Sequence, residues 1–387
     1  MPMSKASPTA RPHSRPPYTL LLLLILISRL ITASLLFLAQ LFPLFDAATS
    51  HILLRWDALH FLHIARSGYV YEHEWAFFPG LPLILSLFSD SLLAPTLFSL
   101  AISFDTTLTM YSLSLHHLGS PALARLAAVL TLLPSSPVTL FLAPYTEPFF
   151  TYLSYKGMLY CAKSHYLSAA IYFSLAATFR SNGFLLSGFI IWGLLVEPFL
   201  QRKQIYFSSI LTCIILSALP FTPFIAHNYA AYSAFCSSAP LASWCTRRLP
   251  FIYSYVQGRY WNSGLFRYWT LQQIPNFLIA APPLLAISFF CIHHLRYWLK
   301  PTVAPGQAFL SASIAPHAIH ALIMCAILLF ASHTQIVLRL ASSMPVTYWA
   351  AAWLLVEHPK GGRAWVAWSL IWGALSTILW AVFLPPA

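Results

Sequence analysis

A short polar segment, residues 52–66, contains the side chains best suited to acid–base chemistry. Asp57 and His60 stand three positions apart, so a helix over this segment would place both on one face, close enough to touch. Trp56 and Phe61 are typical of a helix that lies in the interface of a membrane. A carboxylate held there can accept a proton from a hydroxyl group within hydrogen-bond reach. The pattern makes Asp57 a candidate general base with His60 beside it.

The same segment admits two other interpretations. Asp57 could form a structural ion pair with Arg55 or Arg66, or cap a helix, and local sequence alone favours such a role. Residue types that bind metal ions also cluster here, namely His60, His63, Glu72, His73 and Glu74. The HExxH spacing is absent, so we favour packing over a metal site.

Two arginines are candidates for binding a phosphate group. Arg180 stands at the end of an apolar stretch, and Arg339 lies near His333 and Gln335. Guanidinium groups match phosphate oxygens, and a charge at membrane depth is costly without a partner. The alternative is that both side chains extend to lipid headgroups.

Residues 228–276 combine two cysteines with many aromatic side chains. In an oxidising compartment Cys236 and Cys245 could form a disulfide. The aromatic side chains suit either stacking on a sugar ring or anchoring at a membrane interface. They are Tyr253, Tyr255, Tyr260, Trp261, Phe266, Tyr268 and Trp269.

The elements that must position these residues are transmembrane helices. Of the 387 residues, 59% are hydrophobic and 8% are charged, and the mean hydropathy is +0.71. Soluble domains are about a quarter charged, so most of this surface cannot face water. Apolar stretches recur along the whole chain, which excludes a lone signal peptide or a single anchor. The net charge of +12 comes from dispersed pairs rather than a basic face, so we predict no nucleic acid partner.

The fold class predicted is therefore an all-α polytopic membrane protein. The apolar stretches predict about eleven transmembrane helices. Their expected bounds are 18–42, 82–104, 121–142, 148–162, 166–180, 183–200, 205–227, 277–297, 308–330, 340–357 and 364–384. The fourth and fifth are short, and residues 105–118 could extend the second.

Basic residues predict the orientation of these helices. Lys5, Arg11 and Arg15 precede the first stretch, so the N-terminus is expected in the cytoplasm. Residues 1–17 are predicted to be a disordered cytoplasmic tail, and 18–387 a single transmembrane catalytic domain. The polar segments then face the opposite compartment, taken as the lumen of the endoplasmic reticulum. They include the long loops 43–80 and 228–276 and the short segment around Glu147.

An ordered set of motifs resembles one known family. The run from Trp56-Asp57 through Tyr71-Glu72-His73-Glu74 to Phe78-Pro79-Gly80 closely resembles the PIG-V family of GPI mannosyltransferases. Further matches follow in order: Pro144-Tyr145-Thr146-Glu147-Pro148, Arg180-Ser181-Asn182-Gly183, Trp244-Cys245, Tyr255-Val256-Gln257, Tyr260-Trp261-Asn262, Gln273-Ile274-Pro275-Asn276-Phe277 and His333 through Arg339. Each is weak alone, and the ordered set is specific.

The resemblance implies a GT-C-type glycosyltransferase with short luminal interfacial helices. Such an enzyme moves mannose from dolichyl phosphate mannose to the first mannose of a GPI-anchor precursor, forming an α-1,6 linkage with inversion. It implies Asp57 as the base and Trp56 as the neighbour that sets the position of the loop. Arg180 or Arg339 would bind the donor phosphate with help from His333. Residues expected to contact substrate are Glu72, His73, Glu74, Glu147, Arg180, Asn182, Tyr260, Trp261, His333, Gln335 and Arg339.

The resemblance also implies the cofactors and partners. No cofactor is expected, and a metal is not required because the leaving dolichyl phosphate already carries a stable charge. The expected partners are dolichyl phosphate mannose, the GPI precursor glycolipid and membrane lipids, and a small membrane partner subunit is compatible with the family.

Three other functions compete with this interpretation. A lipid transporter would show internal symmetry, which the sequence lacks. Another dolichol-dependent GT-C enzyme fits the architecture but not the ordered motifs. A non-catalytic scaffold would not need Asp57.

Overall fold

The computed structural model describes residues 18–46, 51–88, 92–237, 241–298 and 307–385, and every regular element in these ranges is helical. The predicted all-α class is thereby confirmed. The predicted disordered tail, 1–17, lies outside the described residues, as do short parts of the predicted loops 43–80 and 228–276.

Eighteen α-helices make up the described chain. The first nine are α1 (Tyr18–Leu38), α2 (Asp57–Ser67), α3 (Gly80–Leu87), α4 (Leu93–Leu118), α5 (Pro121–Leu130), α6 (Pro137–Phe141), α7 (Glu147–Ala162), α8 (Tyr166–Ala177) and α9 (Ser187–Ile191). The other nine are α10 (Glu197–Leu200), α11 (Phe207–Ala218), α12 (Thr222–Phe235), α13 (Ile252–Arg259), α14 (Ile274–Trp298), α15 (Ala315–Phe330), α16 (Val337–Leu340), α17 (Pro345–Glu357) and α18 (Pro359–Ala381). Several begin with proline in the first turn, where its missing N–H leaves no hydrogen bond unmade.

The length and composition of these helices make the chain a multi-pass membrane protein. Crossing the bilayer takes about 20 apolar residues. Among the described residues, six helical stretches meet that requirement: Tyr18–Leu41, Ser181–Leu200, Phe207–Phe235, Leu271–Trp298, Ala312–Phe330 and Pro359–Ala381. The predicted spans 148–162, 166–180 and 340–357 correspond to α7, α8 and α17, which are shorter than such a span, and of these α8 is an apolar helix.

Two predicted spans are wrong as continuous helices. The span 82–104 is divided between α3 and α4, and α4 continues to Leu118 through residues 105–118. The span 121–142 is divided between α5 and α6, because Pro134 and Pro137 interrupt the ladder of backbone hydrogen bonds. A hydropathy average over a whole span hides such breaks, because the helices on both sides are apolar.

At one end of the bundle lies a compact unit, which we call the cap and define as residues 51–80 and 241–276. The first part contains α2 and a short 3₁₀ helix at Glu72–Ala76, so the predicted loop 43–80 is largely helical. The second contains α13. Because α12 continues to Phe235, this part of the chain leaves the bundle later than the predicted residue 228. Trp75, Trp244 and Ile252 form a small hydrophobic core that joins the two parts.

The core of the bundle is formed where α4, α7 and α8 pack closely together. Gly157 of α7 lies against the ring of Phe173 of α8, so close that a Cβ atom on Gly157 would stand 2.3 Å from that ring. Small residues allow helices in membranes to approach in this way. Between α4 and α7, Lys156 and Asp105 form an ion pair of 2.8 Å, which gives each charge a partner.

We predict that Gly157→Ala destabilises the protein by about 1–3 kcal/mol, because the added methyl group overpacks the contact with Phe173. Gly188→Ala in α9 is the matched control, since no atom lies within 4 Å of the Cβ position there. Thermal unfolding in detergent measures both variants. Equal melting temperatures for the two would show that the close contact of α7 with α8 is not required.

Candidate active site

A cavity of about 450 Å³ lies between the cap and the neighbouring helix ends. Its lining combines charged, amide and hydroxyl side chains with aromatic rings, as in sites that bind a polar ligand beside an apolar chain. Eight of the predicted site residues line it: Trp56, Asp57, Arg180, Asn182, Trp261, His333, Gln335 and Arg339. The structure thus brings residues from the first cap segment, the α8–α9 junction and the α15–α17 junction to one cavity.

Asp57 is the first residue of α2, and its position depends on an unusual backbone conformation at Trp56. Trp56 has φ +52° and ψ −123°, a combination that non-glycine residues seldom adopt and that persists only where surrounding contacts enforce it. Its indole packs against Phe383 with ring centroids 5.3 Å apart. The backbone N–H of Asp57 donates to the hydroxyl of Tyr145 at 3.1 Å, which fixes the start of the helix. The role of Trp56 in setting the position of the loop stays a prediction.

Asp57 is one end of a chain of alternating charges that we call the charge network. Arg339 Nη1 donates to Asp57 Oδ2 at 2.8 Å. Arg339 Nε lies 3.8 Å from Oε1 of Glu147, and Arg180 Nη1 donates to the same oxygen at 2.7 Å. Two carboxylates thus alternate with two guanidinium groups, and the ionised network carries no net charge.

Burial differs along the charge network. The Glu147 side chain is 2% exposed and Asp57 is 35% exposed. Oε2 of Glu147 accepts the hydroxyl of Thr146 at 3.3 Å, so both its oxygens are engaged within the protein. In the described part of the chain, Oδ1 of Asp57 has no hydrogen-bond partner. Asp57 is therefore the carboxylate of the network that can accept a proton from a bound ligand.

Two pKa values follow from this arrangement. Burial disfavours the charged form of Arg339, but Asp57 and Glu147 outweigh it, so the pKa of Arg339 is raised and the guanidinium stays charged. Burial raises the pKa of Tyr145 well above its usual value, so its hydroxyl remains protonated. That hydroxyl donates to the carbonyl oxygen of Arg55 at 3.3 Å while it accepts the N–H of Asp57.

Arg180 lies where the chain leaves α8 and enters the 3₁₀ helix Ser181–Leu186. Besides Glu147, its Nη1 donates to Thr146 Oγ1 at 3.1 Å. Arg180 and Arg339 both line the cavity, and each has further N–H groups beyond those engaged by carboxylates. Together they can bind the oxygens of one phosphate group.

His333 and Gln335 line the cavity but are engaged by the protein. His333 Nε2 donates to the carbonyl oxygen of Trp261 at 2.6 Å, and its ring stacks on Tyr268. Tyr268 donates to Oε1 of Gln335, also at 2.6 Å. The predicted help of His333 in phosphate binding therefore cannot come from Nε2.

Six predicted site residues lie outside the cavity lining: His60, Glu72, His73, Glu74, Glu147 and Tyr260. His60 does not contact the carboxylate of Asp57 through a hydrogen bond; its ring stacks on Phe77 and meets the edge of His73. Burial lowers the pKa of His60 despite the opposing charge of Asp57, so His60 is neutral near pH 7. The expected contact between Asp57 and His60 gives way to the ion pair with Arg339.

Glu74 and Glu72 bind protein groups. Glu74 Oε2 accepts the backbone N–H groups of Val70 and Tyr71 at 2.8 and 2.9 Å, and Oε1 contacts His63. Burial opposes ionisation of Glu74, but these hydrogen bonds prevail and lower its pKa. Glu72 accepts one hydrogen bond from Trp244 and one from Tyr260. Within the described ranges, no three His, Cys, Asp or Glu side chains form a group that could hold a metal ion.

Five further residues line the cavity although none was among the predicted site residues: Tyr145, Thr146, Tyr253, Gln257 and Ser263. Tyr145 and Thr146 directly precede Glu147, so the motif containing that glutamate is the signal that could have found them. Tyr253, Gln257 and Ser263 belong to the aromatic-rich segment near the disulfide that joins Cys236 and Cys245. The sequence marks Tyr253 only as one of many aromatic residues, and Gln257 and Ser263 have no distinctive chemistry, so only the fold indicates their place.

The sequence of this chain is similar to those of known mannosyltransferases. The family model described as mannosyltransferase (PIG-V) matches residues 37–387. A GPI mannosyltransferase 2 of Cryptococcus neoformans is 32% identical over 96% of this chain and 99% of its own length. The GPI alpha-1,6-mannosyltransferase 2 of Rattus norvegicus is 34% identical over 79% of this chain and 73% of its own. The Homo sapiens protein of that name is 31% identical over 78% of this chain and 73% of its own length. The chain belongs to the PIG-V family of mannosyltransferases.

Proposed function

We propose that this protein transfers mannose from dolichyl phosphate mannose to the first mannose of a GPI-anchor precursor, forming an α-1,6 linkage. The observation that carries the proposal is the charge network, because it presents a carboxylate and two guanidinium groups to one cavity. The printed names of the relatives support mannose as the sugar and a GPI lipid as its acceptor. A donor linked through a phosphate requires cations beside the base, and Arg180 and Arg339 meet that requirement.

The reaction is a single displacement with inversion. Asp57 Oδ1 accepts the proton of the acceptor hydroxyl as the oxygen of that hydroxyl attacks C1 of the donor mannose. The bond between C1 and the phosphate oxygen breaks on the opposite face, and its electron pair leaves with dolichyl phosphate. Arg180 and Arg339 stabilise the negative charge that develops on the phosphate. Atoms and charge balance without a covalent enzyme intermediate.

Glu147 supports this step without touching substrate. It is buried and contacts both arginines, so it holds their guanidinium groups in place beside the cavity. These contacts give Glu147 a positioning role, and the expected direct contact with substrate is not needed.

The protein is proposed to reside in the membrane of the endoplasmic reticulum with the cap in the lumen and the N-terminus in the cytoplasm. Basic pairs that follow α10 and begin α18, Arg202 with Lys203 and Lys360 with Arg363, lie outside the cap segments. Such pairs mark cytoplasmic ends of transmembrane helices. A small membrane partner subunit and the independence from metal ions stay predictions.

We predict that Asp57→Asn lowers the rate of mannose transfer by about 10²–10⁴-fold, since the amide keeps the shape of the side chain but cannot accept the proton. The measurement is transfer of labelled mannose from dolichyl phosphate mannose by purified protein in detergent or liposomes. Glu197→Gln, an exposed carboxylate outside the cavity lining, is the control and should retain full activity. Undiminished transfer by Asp57→Asn, at unchanged melting temperature, would remove Asp57 as the base.

We predict that Arg180→Gln and Arg339→Gln each raise the KM for dolichyl phosphate mannose by about tenfold or more, because each removes charge-assisted hydrogen bonds to the phosphate. Initial rates at varied donor and saturating acceptor measure this effect. Arg125→Gln, an exposed arginine of α5, is the control. If the donor KM is unchanged in both cavity variants, the phosphate lies elsewhere.

A further inference from the structure

One wall of the cavity comes entirely from the cap. Tyr253 and Gln257 of α13 and Trp261 and Ser263 of the turn that follows it line the cavity, and we call these four residues the cap wall. None carries a formal charge. The cap wall therefore differs in chemistry from the part of the lining that contains Arg180 and Arg339.

A tight turn fixes the cap wall at the end of α13. Tyr260 N–H donates to the carbonyl of Val256 at 2.9 Å, and Ser263 N–H donates to that of Gln257 at 2.8 Å. Asn262 has φ +48°, a left-handed conformation that reverses the chain. The carbonyl of Trp261 accepts the hydrogen bond from His333, so the turn is also tied to the bundle.

Glu72 joins the turn to the rest of the cap. Its Oε2 accepts the hydroxyl of Tyr260 at 3.1 Å, and its Oε1 accepts the indole N–H of Trp244 at 3.0 Å. Trp244 is fully buried and precedes Cys245, which is bonded to Cys236. One carboxylate thus links the first cap segment to both the disulfide loop and the turn.

We infer that the cap wall is the subsite for the uncharged sugar rings of the acceptor glycan, and that Glu72 is the positioning residue that sets this subsite. The inference rests on the proposed mannosyl transfer. Aromatic faces pack against the C–H faces of pyranose rings, and amide and hydroxyl groups bond sugar hydroxyls. The phosphate of the donor instead requires the guanidinium groups. The two parts of the lining adjoin where Tyr253 and Ser181, the neighbour of Arg180, share a hydrogen bond of 2.6 Å, and the inference assigns the acceptor to the first part and the donor phosphate to the second.

The contacts of Glu72 explain why it is a positioning residue. Each of its oxygens is engaged by a protein donor, and Glu72 is absent from the cavity lining. Hydrogen bonds to an ionised carboxylate are stronger than those between neutral groups. Glu72 therefore holds the indole of Trp244 and the hydroxyl of Tyr260 in a fixed geometry. Loss of Glu72 would free the turn that carries Trp261.

Gln257→Ala and Trp261→Leu test the subsite directly. The probes are dolichyl phosphate mannose and a synthetic GPI precursor glycolipid that carries one mannose. Each variant should raise the KM for the acceptor by about three- to tenfold and leave the donor KM within about twofold, since each removes one hydrogen bond or one stacking contact. Ser254→Ala, an exposed residue of α13 whose hydroxyl bonds only the local carbonyl of Phe251, is the matched control. A rise in the donor KM alone, or no change in either KM, overturns the inference.

Glu72→Gln and Tyr260→Phe test the positioning role. Both should raise the acceptor KM with less effect on kcat, at an unchanged melting temperature. The double variant should have nearly the same acceptor KM as Glu72→Gln, because both changes break the hydrogen bond between Tyr260 and Glu72. A general loss of packing would instead lower kcat and the melting temperature together, and that result would overturn the role of Glu72. Gln257→Ala removes only a half-buried side chain, so it tests the subsite even if the turn variants do not fold.

The outcomes separate this inference from the proposed function. If the unaltered protein does not transfer mannose to the one-mannose acceptor, the proposed function fails. If it does, and the cap-wall variants change the acceptor KM no more than Ser254→Ala does, only the subsite fails.

Discussion

The site depends on one buried carboxylate between two guanidinium groups. Arg180 and Arg339 both contact Glu147, and without a shared counter-charge the two cations would repel each other in a region largely shielded from water. Glu147 also begins α7, where the N-terminal end of a helix favours a negative charge. The carboxylate thus fixes both arginines relative to the most tightly packed helices of the bundle. Glu147 therefore contributes both to the geometry of the proposed site and to the packing of the bundle.

The charge network also requires irregular backbone inside an apolar bundle. Arg339 belongs to α16, which has one turn and lies in the broken stretch between α15 and α17. Backbone groups freed by such a break need partners, because lipid offers none. Ser135 Oγ donates to the carbonyl of Leu338, and the Tyr155 hydroxyl donates to that of Ser342, both at 2.6 Å. Side chains of the interrupted segment between α5 and α6 and of α7 thereby stabilise the turn that places Arg339 beside Asp57.

The sequence predicted the class of fold and most of the residues with distinctive chemistry. It did not predict which groups each carboxylate binds in the folded protein. Composition and hydropathy predict transmembrane helices because they average over many residues. Arg180 and Arg339 were found because a charged residue beside an apolar stretch is conspicuous. Glu72 and Glu74 resemble substrate ligands in sequence, yet Glu74 binds the N–H groups of its own loop and Glu72 binds Trp244, which is 172 positions away. Asp57 and Arg339 are 282 positions apart, so no local pattern indicates their ion pair. Tyr145 was missed because a buried tyrosine is common and its hydrogen bond to Asp57 exists only in the folded chain.

Carboxylates that look alike in the sequence differ in the hydrogen-bond donors that surround them in the structure. Glu74 is engaged by two backbone N–H groups and His63, Glu72 by an indole and a phenol, and Glu147 by two arginines and a hydroxyl. Asp57 alone among these four lines the cavity and keeps one oxygen without a protein partner. A general base must have a lone pair within reach of its substrate, which is why the proposed mechanism gives that role to Asp57. The other three carboxylates lie outside the lining and bind protein groups that position the cap and the two arginines.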